Sequence, residues 1–282
     1  MHQLFGTVKP PMIKLLISDL DDTLYDWTGF FVPAFYAMAD EISRMTGIDE
    51  KKLLNEYMAA HQRLGSVEYP YATLELPSLK AYYNNAPAEE MKAALRPAFN
   101  VFNSVRESHL HLLPGTEDML RALSDMGITL IAYTESSKEN GFYRLMKLGI
   151  EPYFKHVYTL ESQFKSAYAF GEKVRTVQTK KPDVAVIERI CAGEGYAKDE
   201  VMYLGDNLTK DMYMAKTAGV TAVWMHRKCE NGDYRQKLLA ITSWTEAEYA
   251  RDAELKQYMQ RHGIRPDYEI SDARELIAIA AK

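Results

Sequence analysis

The densest collection of reactive groups in this sequence is Asp19-Leu20-Asp21-Asp22-Thr23, where three acids and a threonine directly follow an apolar run. Three further positions carry groups of matching purpose. Thr134 follows the stretch Ile128 to Tyr133, Lys181-Pro182 precedes a helical pattern, and Gly205-Asp206 follows Glu200 to Leu204, with Asp211 five residues beyond. Gathered in one place, these carboxylates would repel one another unless a divalent cation neutralised them. Hard oxygen ligands with positions left for water and a phosphate oxygen suit Mg2+. The Lys181 ammonium, the Thr134 hydroxyl and the backbone amides through Ser136 would offset the charge of a phosphate. The Asp19 carboxylate could then attack phosphorus in line, and Asp21 could protonate the leaving oxygen and later activate water.

Each group alone has an ordinary explanation. Acids and threonines cap helices and fill turns, a lone lysine is usually solvated, and Asp211 could simply favour the first turn of a helix. Asp22 faces away from its neighbours on an extended backbone and reads as structural. The order of the groups and their placement after strands distinguish the set from these readings.

The elements that must position them follow from hydrophobic spacing. Met12 to Ser18, with Ile13, Leu15, Leu16 and Ile17, reads as a buried parallel strand. Helices at about 116–126, 138–148, 183–192 and 210–218 alternate with strands at 128–133, 156–160, 200–204 and 221–225, and a short strand at 268–270 precedes a closing helix at 273–281. That alternation specifies a parallel sheet with crossover helices, whose ligands bind beyond the carboxyl ends of the strands. Between Trp27 and about His109 the texture changes to helical patterns rich in Ala, Met, Tyr, Lys and Glu. The expected organisation is α/β, a Rossmann-like parallel core from 1–26 and 110–282 with an inserted all-helical cap domain at 27–109. Within the cap, Tyr57, His61, Arg63, Tyr69, Tyr71, Tyr82 and Tyr83 could line a pocket, although a small helical module needs aromatics for its own packing. His109 and His111 read as surface residues flanking the return to the core. The segment from Asp233 to His262 carries a helical pattern of open purpose.

With 282 residues, 47% of them hydrophobic, the chain can bury a substantial core. Its net charge of -5 is spread along the chain without a basic block, which excludes a nucleic-acid footprint. Two cysteines, Cys191 and Cys229, are too few for a disulfide framework and suit a reducing cytoplasm as buried hydrophobes. The start to Pro11 lacks a secretory pattern, and no apolar run is long enough to span a bilayer.

Asp19-Leu20-Asp21-Asp22-Thr23, Thr134, Lys181-Pro182 and Gly205-Asp206 with Asp211 together resemble the motif set of the haloacid dehalogenase superfamily. Leu113-Pro114-Gly115 resembles its phosphatase branch. The resemblance covers Ile13 to Tyr25 and Leu113 to about Met225, with weaker agreement at Pro266 to Ala281. It implies a cap inserted after the first strand, and a Mg2+-dependent phosphatase acting on a small phosphorylated metabolite through an aspartyl-phosphate. It also implies roles: Asp19 and Asp206 as carboxylate ligands, the backbone carbonyl of Asp21 as a third ligand, and Asp211 as holder of Lys181 or of a metal-bound water. Phosphomutase, phosphonate hydrolase and dehalogenase chemistries remain alternatives on the same scaffold, as does a non-catalytic binding protein. A dehalogenase would need neither Asp21 nor Asp206, a mutase usually carries glycine where Asp22 stands, and no motif carboxylate is missing as in a non-catalytic relative.

Overall fold

The computed structural model describes residues 12–69, 71–161, 170–226 and 232–282. The stretch to Pro11 and Cys229 lie outside these residues. Contacts divide the chain into two compact units, one of Met1–Tyr25, Leu112–Arg227 and Leu255–Lys282, the other of Asp26–His111 and Lys228–Glu254.

In chain order the first unit opens with β1 (Leu15–Ser18), all four residues of which are buried. The second unit then supplies α1 (Trp27–Thr46), α2 (Glu50–Leu64), α3 (Pro77–Tyr82), α4 (Ala88–Ala94) and α5 (Arg96–His109). The core resumes with α6 (Thr116–Asp125), β2 (Thr129–Ser137), α7 (Lys138–Lys147), β3 (His156–Leu160), β4 (Val174–Val177), α8 (Val184–Glu194) and β5 (Val201–Gly205). A π-helical turn at Leu208–Met212 leads into α9 (Tyr213–Ala218) and β6 (Thr221–Met225). The chain ends with α10 (Tyr234–Ala240), α11 (Glu246–Arg261), β7 (Tyr268–Ile270) and α12 (Glu275–Ala280).

The seven strands form one sheet in the order β4-β3-β2-β1-β5-β6-β7, and every neighbouring pair is parallel. The α/β parallel fold read from the sequence is the fold observed. Successive strands run outward from β1 in one direction as far as β4, and the order then reverses at β5. A sheet with its switch point beside β1 opens a crevice at the carboxyl ends of β1, β2 and β5, where the acids fall. Leu15, Ile17, Ile131, Tyr133, Val201 and Tyr203 pack on the same core as Val186, Ile187 and Ile190 of α8 and Ala215 and Ala218 of α9. Strand β4 is absent from the sequence reading because its middle residues, Arg175 and Thr176, are exposed and break the apolar run. Strand β2 also continues past Tyr133 to Ser137, with its register against β3 shifting between those residues.

The helical unit has a core of its own. On α1, Trp27, Phe31 and Phe35 recur every four residues, so they share a face; Trp27 stacks on Phe31 at 4.8 Å and Phe35 meets Tyr57 of α2 edge-on at 4.8 Å. Asp26 and Asp49 cap the starts of α1 and α2, and Gly47 and Gly65 end them in the left-handed conformation. The sequence reading carried 110–282 as core, but the structure groups 232–254 with these helices. His61 Nδ1 donates to the Ile241 carbonyl at 2.7 Å, Gln62 reaches the Trp244 carbonyl, and Tyr36 reaches the Lys237 carbonyl. Tyr57 and His61 are buried in this core, Arg63 pairs with Glu75, and Tyr71 and Tyr82 are exposed. His109 and His111 are exposed, and their imidazoles make local hydrogen bonds. No helix among the described residues is long and apolar enough to cross a membrane.

Candidate active site

Asp19 follows β1 and is held there by a backbone hydrogen bond from its amide to the Leu204 carbonyl of β5. Its carboxylate receives Lys181 Nζ on Oδ1 at 2.5 Å and Thr23 Oγ1 on Oδ2 at 3.0 Å. Lys181 also donates to Asp211 Oδ1 at 2.9 Å, so one buried ammonium bridges two carboxylates. Asp211 takes further hydrogen bonds from the Tyr203 hydroxyl and the Asn207 amide. Both of its oxygens are therefore engaged by donors, which fits a holder of Lys181 better than a metal ligand.

Asp206 differs. Asp19, Asp206 and Asp211 each offer an oxygen within 4.8 Å of the others. Among the described residues no hydrogen bond reaches the Asp206 carboxylate, although Trp224 Nε1 fixes its backbone carbonyl at 2.7 Å. Burial, with the charges of Asp19 and Asp211 added, pushes its carboxyl well above the ordinary range. Burial, opposed by Lys181 and reinforced by Asp211 and Asp21, pushes Asp19 up to about 7. For Lys181, burial favours the neutral amine, but Asp19 and Asp211 outweigh it and hold the ammonium well above its usual value. A carboxylate without a protein donor beside a second one is a donor set suited to a hard divalent cation.

Asp21 lies across the site in a nest of donors. Tyr25 OH and Arg144 Nη1 reach its Oδ1 at 2.7 and 2.8 Å, and Thr134 Oγ1 and Ser136 Oγ reach its Oδ2 at 3.1 and 2.8 Å. Thr134 in turn accepts from the Ser136 amide. Burial and the adjacent Asp21 charge hold the Tyr25 phenol well above its usual range, so it stays protonated as a donor.

Of the six residues singled out from the sequence, Asp19, Lys181 and Asp211 form one hydrogen-bonded group with Asp206 beside it, and Asp21 and Thr134 form a second, both within the core unit. Tyr25, Arg144 and Tyr203 were not foreseen, nor were the side chains of Glu135 and Ser136, whose stretch the sequence offered only for its backbone amides. Glu135 accepts from the Lys181 amide and from Lys210 Nζ, joining the loop before α8 to the π-helical turn. Arg144 had a signal: it falls among Gly141, Phe142 and Leu145 on the buried side of α7, where a charge is out of place without a partner. Gly141 lets α7 approach β2, since a Cβ there would sit 3.3 Å from Thr134 Cγ2. Arg144, three residues on and on the same side of the helix, is thereby carried to Asp21.

The model of the family described as haloacid dehalogenase-like hydrolase matches residues 16–225. The chain is 25% identical over 219 residues to a glyceraldehyde 3-phosphate phosphatase of Pyrococcus abyssi, covering 76% of this chain and 81% of that one. It is 25% identical over 272 residues to the protein of the same name from Methanopyrus kandleri, covering 95% and 97%. Among solved structures, the 2-haloacid dehalogenase from Pseudomonas syringae pv. Tomato DC3000 superposes with a TM-score of 0.58 at 20% identity, covering 96% of this chain and 99% of that one, a likeness of fold.

Proposed function

We propose, from the premise that the chain belongs to the haloacid dehalogenase-like hydrolase family and is a phosphoric monoester hydrolase, that it is a Mg2+-dependent phosphatase of a small phosphorylated metabolite with Asp19 as nucleophile. The observation that carries this reading is the buried pair of Asp19 and Lys181, 2.5 Å apart, with the Asp206 carboxylate beside it. Asp19, Asp206 and the Asp21 backbone carbonyl would hold the cation. Bound there, Mg2+ would neutralise the carboxylates and fix a phosphate oxygen.

The residues of the chain divide the remaining work. Lys181 holds the Asp19 carboxylate in place and offsets phosphate charge, while Asp211, Tyr203 and the Asn207 amide hold Lys181. Thr134 and Ser136 offer hydroxyls to the phosphate oxygens. Asp19 attacks phosphorus to give an aspartyl-phosphate; Asp21 protonates the departing oxygen and then takes a proton from the water that hydrolyses the intermediate. The presence of Asp21 and Asp206 favours this over dehalogenation, which requires neither. The glyceraldehyde 3-phosphate phosphatases among its relatives support a small phosphorylated substrate, and the low cysteine content supports a cytoplasmic setting. Substrate choice is assigned to the helical unit as a cap, because the core groups address only a phosphate and a cation.

The test is phosphate release from a panel of phosphorylated metabolites with Mg2+ or with a chelator. Turnover should vanish in excess chelator and in Asp19→Asn, with circular dichroism unchanged. Full activity under either condition would overturn the reading.

A further inference from the structure

The four donors around Asp21 are of two kinds. Thr134 and Ser136 reach Oδ2 through hydroxyls that turn freely about a single bond and can be claimed by another acceptor. The donors to Oδ1 are rooted: Tyr25 is fully buried, and Arg144 is 3% exposed and carries a guanidinium that never gives up its charge. Arg144 Nη1 also touches Ser136 Oγ at 2.9 Å, so it stands where the two kinds of donor meet.

We propose that Arg144 is a positioning residue for proton transfer by Asp21, an inference that rests on the phosphatase reading above. By clamping Oδ1 together with Tyr25, it fixes the plane of the carboxyl group and leaves Oδ2 as the oxygen that handles the proton. A phosphate that takes the hydroxyls of Thr134 and Ser136 frees Oδ2 at the moment it is needed. In the first half-reaction the Oδ2–H bond breaks as the leaving oxygen takes the proton and separates from phosphorus, leaving Asp21 as a carboxylate. In the second, water oxygen bonds to phosphorus, the bond from phosphorus to Asp19 breaks, and the proton of the water passes to Oδ2, restoring the start. An anchor on one oxygen matters because proton transfer depends on alignment, which a freely rotating carboxyl would lose.

The alternative is that the pair only ties α7 to the loop after β1. Steady-state and rapid-mixing kinetics of the whole protein with Mg2+ separate the two, using aryl phosphates from dinitrophenyl to phenyl phosphate. Arg144→Met should lower kcat on phenyl phosphate by about 10- to 100-fold, within the range general acid–base catalysis supplies, with KM little changed. Dinitrophenolate leaves without a proton, so its first turnover should stay fast and be followed by a slow steady state. Arg144→Lys should recover part of the loss. If Arg144→Met fails to fold, Tyr25→Phe, which removes the other donor to Oδ1, should show the same dependence on leaving group. Equal losses for every ester in both phases, or wild-type rates on phenyl phosphate, would overturn the proposal while leaving the phosphatase reading intact. A wild-type protein that cleaves none of the esters would overturn both.

Discussion

Asp211 stands so close to the bare Cα of Gly205 that a Cβ built there would lie 2.5 Å from Asp211 Cγ and 2.6 Å from its Oδ2. The missing side chain is what admits Asp211 to the end of β5, where it holds Lys181. Gly205→Ala should therefore push Asp211 off its three donors. We expect a loss of about 1–3 kcal/mol in urea unfolding, the usual cost of overpacking, together with reduced turnover. An unchanged urea midpoint and unchanged kcat would mean that Asp211 has another way to reach Lys181.

Glu194, at the end of α8, has a side chain only 1% exposed and pairs with Lys155 at 2.9 Å and His156 at 2.5 Å. Burial works against its charge, but Lys155 and His156 win and draw its carboxyl below the ordinary value of 4.5. A depressed carboxylate contributes stability that is present above its unfolded value and lost as pH falls through the folded one. Glu194→Gln should cost about 1.5–3 kcal/mol near neutrality, the range for hydrogen bonds to charged groups, and the difference from wild type should shrink below pH 4.5. Melting curves of the two proteins across that range check it; a difference independent of pH would show that the charge contributes nothing.

The sheet was legible because β1, β2, β5 and β6 are buried on both faces and read as apolar runs, and the acids follow β1 and β5 where such a sheet binds its ligands. What escaped was set by tertiary contact. Arg175 and Thr176 hide β4 as an edge strand. Arg144 is adjacent to Asp21 only where α7 packs against β2, with Gly141 close to Thr134, and Tyr203 reaches Asp211 only across β5 and the π-helical turn that follows. The association of 232–254 with α1 and α2 rests on side-chain to backbone bonds such as His61 to Ile241, which no local pattern announces.

That same His61 makes the helical unit sensitive to acid. Burial, partly offset by its bond to the Ile241 carbonyl, lowers its pKa from the usual 6.5. The folded state therefore prefers the neutral ring, and protonation favours unfolding. Its contribution is complete above pH 6.5 and is lost as pH falls below that value. His61→Phe keeps the ring packed against Phe35 and Tyr57 but strands the carbonyl, at a cost of about 1 kcal/mol near neutrality. Unfolding of the variant should depend less on pH as it falls below 6.5 than that of wild type. Parallel slopes would place the acid sensitivity elsewhere.

The acids of the site carry the opposite dependence. In the folded chain Asp19 is raised from 3.8 to about 7, so the folded state keeps a proton that the unfolded chain has released. Its contribution is therefore greatest below pH 3.8 and declines as pH rises toward 7 in the absence of metal. Asp206, raised by burial and by Asp19, steepens that decline. A cation that binds the ionised carboxylates reverses it, because ligands that bind only the folded state stabilise it, by about 2.7 kcal/mol at a hundredfold excess over Kd. Asp206→Asn removes one of the crowded charges and one of the proposed ligands together. It should melt higher than wild type in chelator near neutral pH, and its gain on adding Mg2+ should be much smaller. Thermal melts of both proteins at several pH values, with chelator or Mg2+, read these differences directly. If Asp206→Asn melted below wild type in chelator and gained as much from Mg2+, neither the repulsion among these acids nor the metal assignment would stand.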